Sequence, residues 1–165
     1  MSHPAPRRLV IDTNVVLDLW LFRDPATAPL RLALEAGRMR PLRTAATLAE
    51  LQDVLQRPKL GLGVATRAEL LERWCAGSEE LQRVAAAPIE CRDADDQKFL
   101  DAAFSGAAEL LLTRDRALLE LSRRAATLGL RIERPSAAVS YDARDANRGE
   151  MAFRTPIPPP AAGTP

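Results

Sequence analysis

The chain has 165 residues, 47% of them apolar, 27% charged and only 4% aromatic, the profile of one globular domain with an aliphatic core. A formal net charge of +1 excludes a global electrostatic pull toward nucleic acid or membranes, and no apolar run approaches the ~18 residues of a membrane-spanning helix. Cys75 and Cys91 match no zinc spacing and read as reduced thiols of a cytoplasmic protein; His3 sits in a fraying terminus, and the first strand begins too early for a signal peptide.

Residues 9–11 form a short apolar run, the pattern of a central parallel strand. Asp12 closes it. Residues 15–22 stay apolar, as the first turns beyond the strand and a packed connection. Asp24-Pro25 is a helix-start signal for a helix over 26–36, which Gly37 stops. Residues 39–43 are a second strand. Thr44 or Thr47 caps the next helix, and Thr47 to Glu50 has capping-box spacing. That helix runs through Leu51, Val54 and Leu55 and ends before Pro58.

Gly61 and Gly63 mark a loop. Thr66 to Glu69 has a second capping-box pattern and opens a helix reaching Trp74. Residues 81–86 are a candidate strand. Asp93 to Asp96 open a helix through Phe99, Leu100, Ala103 and Phe104, ended near Gly106. Residues 110–113 are the clearest later strand, with Asp115 just beyond it. Residues 115–128 read as one helix stopped by Gly129, and 130–133 as a last strand. Strands alternating with helices predict an α/β fold, a parallel sheet with helices on both faces. The domain spans 7–140. Four of the 13 prolines fall within 156–160, so 141–165 reads as a flexible Pro-rich tail.

Four acids carry the chemistry: Asp12, Glu50, Asp96 and Asp115. Ligands of an open parallel sheet bind beyond the carboxyl ends of its strands, where Asp12 and Asp115 fall. Each acid also has a plainer role. Asp12 and Asp115 could cap loops or helices, and Glu50 could complete the capping box with Thr47. Acids at a helix start gain ~0.3–1 kcal/mol from the dipole, which accounts for Asp93 and Asp95. Asp96 differs, lying three and four residues before Phe99 and Leu100 on the same helix face. The conjunction is harder to dismiss. Two like charges 4 Å apart repel by about 4 kcal/mol at an effective dielectric near 20, so four on one rim need protons or a cation. Mg²⁺ or Mn²⁺ suits an all-oxygen set; zinc does not, with no His or Cys among the donors.

Other sheet-end chemistries fit less well. A haloacid-dehalogenase-type site wants a second Asp where Asn14 stands, and a receiver domain wants a lysine near the last strand. A dinucleotide binder wants glycines after the first strand, and residues 12–15 have none.

The strand ending in Ile11-Asp12-Thr13-Asn14, the segment Thr47-Leu48-Ala49-Glu50-Leu51 followed by Gln56-Arg57-Pro58-Lys59, the helix start Asp95-Asp96-Gln97-Lys98-Phe99-Leu100 and the strand end Leu112-Thr113-Arg114-Asp115 together resemble a PIN domain. The nearest group is the bacterial PIN-family toxins of toxin–antitoxin systems, similar to VapC-type ribonucleases. The resemblance covers about residues 7–140. It implies a three-layer α/β/α sandwich with a five-stranded parallel sheet, and a cytoplasmic Mg²⁺- or Mn²⁺-dependent endoribonuclease. Asp12, Glu50, Asp96 and Asp115 match the family's four acids, as catalytic and metal-binding residues. Asn14 and Thr113 match polar positions lining the site, and Thr13 stands beside them. Glu50 would hold a second ion or position the attacking water. Arg114 and Arg116 could grip RNA backbone or simply be solvated. Implied partners are an RNA substrate, a cognate antitoxin and a second copy in a homodimer, with no membrane. The rival expectation is a catalytically silent PIN-fold module that binds RNA or protein.

Overall fold

The computed structural model describes residues 5–136 and Tyr141. Its strands are β1 (Arg7–Ile11), β2 (Met39–Arg43), β3 (Glu79–Glu80), β4 (Leu110–Leu112) and β5 (Arg131–Glu133). The α-helices are α1 (Thr13–Trp20), α2 (Ala28–Glu35), α3 (Ala45–Leu55), α4 (Val64–Gly77), α5 (Gln97–Ser105), α6 (Arg116–Leu119) and α7 (Ser122–Ala126). The five strands form one parallel sheet in the order β3-β2-β1-β4-β5.

Alternation along the strands sends side chains to opposite faces. Leu9, Ile11, Leu110 and Leu112 pack with Val15 and Leu19 of α1, Leu30 of α2, Leu51 and Leu55 of α3 and Trp74 of α4. Val10 and Leu111 pack on the other face with Phe99 and Leu100 of α5, Leu118 of α6 and Ala125 of α7. The result is the expected three-layer sandwich. From β1 the chain steps through β2 to β3 with helices on the first face. It then crosses to β4 and β5 with helices on the second. Direction and face reverse together, which keeps every crossover of one hand. The reversal also leaves a crevice beyond the carboxyl ends of the neighbours β1 and β4, where open α/β sheets place their ligands.

Most elements fall where their patterns put them, and four differ. The start of the helix expected over 26–36 is a 3-10 turn, Pro25–Thr27, with Asp24 accepting from the Ala26 N–H; α2 follows. Helix α4 begins at Val64 after Gly63, so Thr66 lies inside its first turn rather than capping it. Residues 81–86 are not a strand. The strand is Glu79–Glu80, extended by one bond from the Leu81 N–H to the Arg43 carbonyl; beyond it the Ala85 and Ala87 N–H groups donate to Ser105 and Asp101 of α5. The helix expected over 115–128 is two short ones, α6 and α7, joined by a tightened turn in which the Leu121 N–H donates to the Leu118 carbonyl.

Gly106, at the end of α5, is dictated by space. A Cβ there would lie 2.3 Å from the Leu42 Cδ1 and 3.1 Å from the Ala102 carbonyl oxygen. Cys75 and Cys91 are free. Tyr141, where the tail was expected to begin, is buried with the first apolar cluster; the rest of that segment lies outside the described residues. Among the described residues no helix is long and apolar enough to cross a membrane.

Leu111 is fully buried at the centre of the second cluster. Leu111→Ala is expected to lower the unfolding free energy by about 2–5 kcal/mol through lost burial and a residual cavity. Denaturant unfolding reads this as a lower midpoint at unchanged slope.

Candidate active site

Strand β1 delivers Asp12 to the carboxyl edge of the sheet, where its backbone N–H donates to the Leu112 carbonyl at 2.9 Å. The side chain is only 4% exposed. On the neighbouring strand end, Thr113 is fully buried, and its hydroxyl donates to Asp12 Oδ2 at 2.6 Å. The same hydroxyl oxygen accepts from the Asp115 N–H at 2.9 Å. One hydroxyl thus fixes the first acid against the backbone of the fourth.

Asp115 caps α6: its Oδ1 accepts from the Ala117 N–H at 2.7 Å and, more weakly, from the Leu118 N–H at 3.3 Å. The plain capping role and a place in the acid cluster therefore coexist. Asp96 stands at the start of α5 yet makes no capping hydrogen bond. Its Oδ2 is buried and meets no hydrogen-bond partner. Asp93 serves the turn instead, accepting from the Asp95 N–H, and both Asp93 and Asp95 are exposed. The face argument that singled out Asp96 agrees with this geometry.

The electrostatics follow from burial and crowding. Desolvation pushes the Asp96 carboxyl up to about 7, aided by the charge of Asp115, a hydrogen bond shared with Asp115, and the charges of Asp12 and Asp93. Desolvation also raises Asp12, against the lowering hydrogen bonds from Thr113 and the Asn14 backbone. The charges of Glu50 and Asp115 add to that rise. Asp12, Asp96 and Asp115 thus form one interacting group, and Glu50 acts on Asp12 from α3.

Glu50 is not spent on a cap. Thr44 and Thr47 complete the α3 capping box between themselves, each side chain accepting from the other's backbone N–H. The Glu50 carboxylate is instead ion-paired with Lys98 of α5. Sequence reasoning gave Lys98 no role. Its signals were its place two residues after Asp96 and its rarity, as one of two lysines in the chain.

Thr13 is buried and Asn14 exposed, both at the start of α1. The Arg114 guanidinium is tied to Asp18 at 2.7 Å and to Asp24 at 3.1 Å, which bind it to the α1 side of the fold. Arg116 is 86% exposed and pairs with Glu120 at 3.0 Å. Glu120 also meets Arg92 at 3.3 Å. Arg92, Asp93, Asp115 and Arg116 line an open cleft of about 350 Å³ beside the acids. A larger hollow of about 530 Å³ between α3 and α4 contains no acid among its lining residues.

Among the described residues no three or more acidic, histidine or cysteine side chains already stand as a cation-holding group. Asp12 is turned to Thr113, one Asp115 oxygen to the α6 backbone and Glu50 to Lys98. The donor chemistry nonetheless fits a hard divalent ion. The oxygens are carboxylates that repel one another, and the orphaned Asp96 Oδ2 lacks any other partner. Asp12, Asp96 and Asp115 are the residues that could hold it.

Residues 8–117, two thirds of the chain, match the family model of the PIN domain, and the span includes all four acids. The chain belongs to the PIN domain family. No curated protein matches it.

A raised carboxyl pKa favours the protonated folded protein. Asp96 therefore contributes stability in full below about 3.8, and that contribution is lost as pH rises through about 7. In EDTA, the melting temperature of the wild type should fall more steeply between pH 5 and pH 8 than that of Asp96→Asn. Parallel melting curves for the two proteins across that range would show that Asp96 does not carry the shifted proton.

Proposed function

We propose that this PIN-domain chain is a Mg²⁺- or Mn²⁺-dependent endoribonuclease, the toxin of a bacterial toxin–antitoxin pair acting in the cytoplasm. PIN domains are typically nucleases, which supports the general class. The observation that carries the finer reading is the coupling of three buried or half-buried carboxylates, Asp12, Asp96 and Asp115, at the switch point of the sheet. Asp115 has a capping use, but the gathering of all three costs the fold stability, since its members repel.

A divalent ion bound there would lower the pKa of water and polarise a phosphodiester oxygen. The chain's own residues do the rest. Thr113 holds Asp12 in one orientation through its hydroxyl at the carboxyl end of the sheet. Asp115 is held by the start of α6, and Asp96 gives up its proton when its oxygens are needed as donors. Thr13 and Asn14 begin α1 beside Asp12 and bound the crevice. Attack of water in line with the leaving 3′-oxygen would yield 5′-phosphate and 3′-hydroxyl ends. Arg116 and Arg92, which line the cleft, are the proposed contacts to the RNA backbone. Arg114 is already committed to two carboxylates. A small antitoxin and a second copy of the chain remain the proposed protein partners.

One observation favours the silent binding module: Glu50 is neutralised by Lys98 within the protein. Cleavage of single-stranded RNA that requires Mn²⁺ or Mg²⁺ and stops with EDTA excludes that rival. Asp12→Asn keeps an acceptor for the Thr113 hydroxyl and so should fold normally. It is expected to lower turnover by more than about 100-fold, beyond the usual cost of losing a supporting group around a metal. Wild-type turnover by Asp12→Asn with Mn²⁺ present would remove the scheme.

A further inference from the structure

We propose that the Lys98 ammonium takes the place of a second cation on Glu50, so that this chain holds one divalent ion rather than two. The inference rests on the metal-dependent reading above and settles what Glu50 does in it.

Lys98 is the second residue of α5, and Glu50 lies in the middle of α3. The two helices belong to opposite layers, and their side chains meet over the carboxyl end of the sheet. The side chains are 26% and 24% exposed. Attraction between unit charges grows as water is excluded, so this pair is held more firmly than one on the open surface. Among the described residues the α3 cap is complete without Glu50, and Glu50 is ion-paired with Lys98 alone.

Glu50 is also close enough to Asp12 for its charge to raise the Asp12 carboxyl. A second divalent ion between Glu50 and Asp12 is the obvious way to relieve that repulsion, and in two-ion sites such a pair clamps both the attacking and leaving oxygens. Here a monovalent ammonium is already in place. A divalent ion on the same carboxylate would be repelled by it, unless the lysine swung away. Lysine suits the task better than arginine, because its ammonium is a compact point charge on a flexible stem. In a chain whose other basic residues, apart from Lys59, are arginines, the choice at this position fits that need. Lys98 is thus a positioning residue. It holds Glu50 at the rim through the ion pair, while Asp12, Asp96 and Asp115 hold the ion.

The test is the binding stoichiometry of Mn²⁺ to the full chain without RNA, read by the electron paramagnetic resonance signal of free Mn²⁺ and by calorimetry. The wild type should bind one equivalent, and so should Lys98→Arg and Glu50→Gln. Lys98→Met should bind two, since it frees the carboxylate and removes the repelling charge. Circular dichroism checks that each variant is folded. One equivalent in a folded Lys98→Met protein would overturn the proposal, because a purely structural lysine leaves the count unchanged. Two equivalents in the wild type, falling to one in Glu50→Gln, would overturn it as well, even if Lys98→Met does not fold, and would leave the nuclease reading intact. No Mn²⁺ bound by any folded protein in the series would bring down the nuclease reading itself.

Discussion

Carboxylates of like charge cannot be gathered at the end of a hydrophobic sheet unless something neutralises each of them. At 4 Å the cost is about 4 kcal/mol per pair at an effective dielectric near 20, a large share of the ~5–15 kcal/mol that separates a folded domain from its unfolded chain. The structure meets the demand in a different way for each acid. Asp12 accepts a hydrogen bond from the Thr113 hydroxyl, Asp115 accepts from backbone N–H groups of α6, Glu50 pairs with the Lys98 ammonium, and Asp96 keeps its own proton to about pH 7. Three of these arrangements are fixed by the protein. The fourth is a proton, which a bound cation would have to displace.

The site also bridges the layers on the two faces of the sheet. The apolar cluster of α1 to α4 and that of α5 to α7 lie on opposite faces. Over the carboxyl edge, Lys98 of α5 reaches Glu50 of α3, and Arg114, just before α6, reaches Asp18 of α1. Partly exposed ion pairs of this kind contribute little to stability. Their effect is to set where the rims of the crevice stand, and so the sheet supplies strength while charges supply alignment.

The framework was legible because its signals are physical and local. Runs such as Leu9-Val10-Ile11 and Leu110-Leu111-Leu112 are apolar without alternation, as strands covered on both faces must be. The acids at their ends then had to lie at the switch point. Legibility failed where two local patterns competed. Thr47 to Glu50 has capping-box spacing, but Thr44 and Thr47 form the box, and only the fold reveals Glu50 as free of it. Residues 81–86 include apolar side chains suited to a strand, yet after Leu81 the backbone leaves β2, and the Ala85 and Ala87 N–H groups donate to Ser105 and Asp101, twenty and fourteen residues further on. The continuous helical pattern over 115–128 hides a tightened turn at Leu121. Lys98 was overlooked as a site residue because its partner is 48 positions away; its place two residues after Asp96 and its rarity do not by themselves name Glu50 as that partner.

The hydroxyl bond that orients Asp12 spans 101 positions along the polypeptide. During synthesis, at about 5–20 residues per second, Asp12 leaves the ribosome many seconds before Thr113 and Asp115 are available to complete its surroundings. Until β4 slots in beside β1, the nascent chain carries scattered acids and no assembled centre. A ribonuclease is born next to the message encoding it, and under the proposed function this order of assembly would delay any cutting until most of the polypeptide has been made.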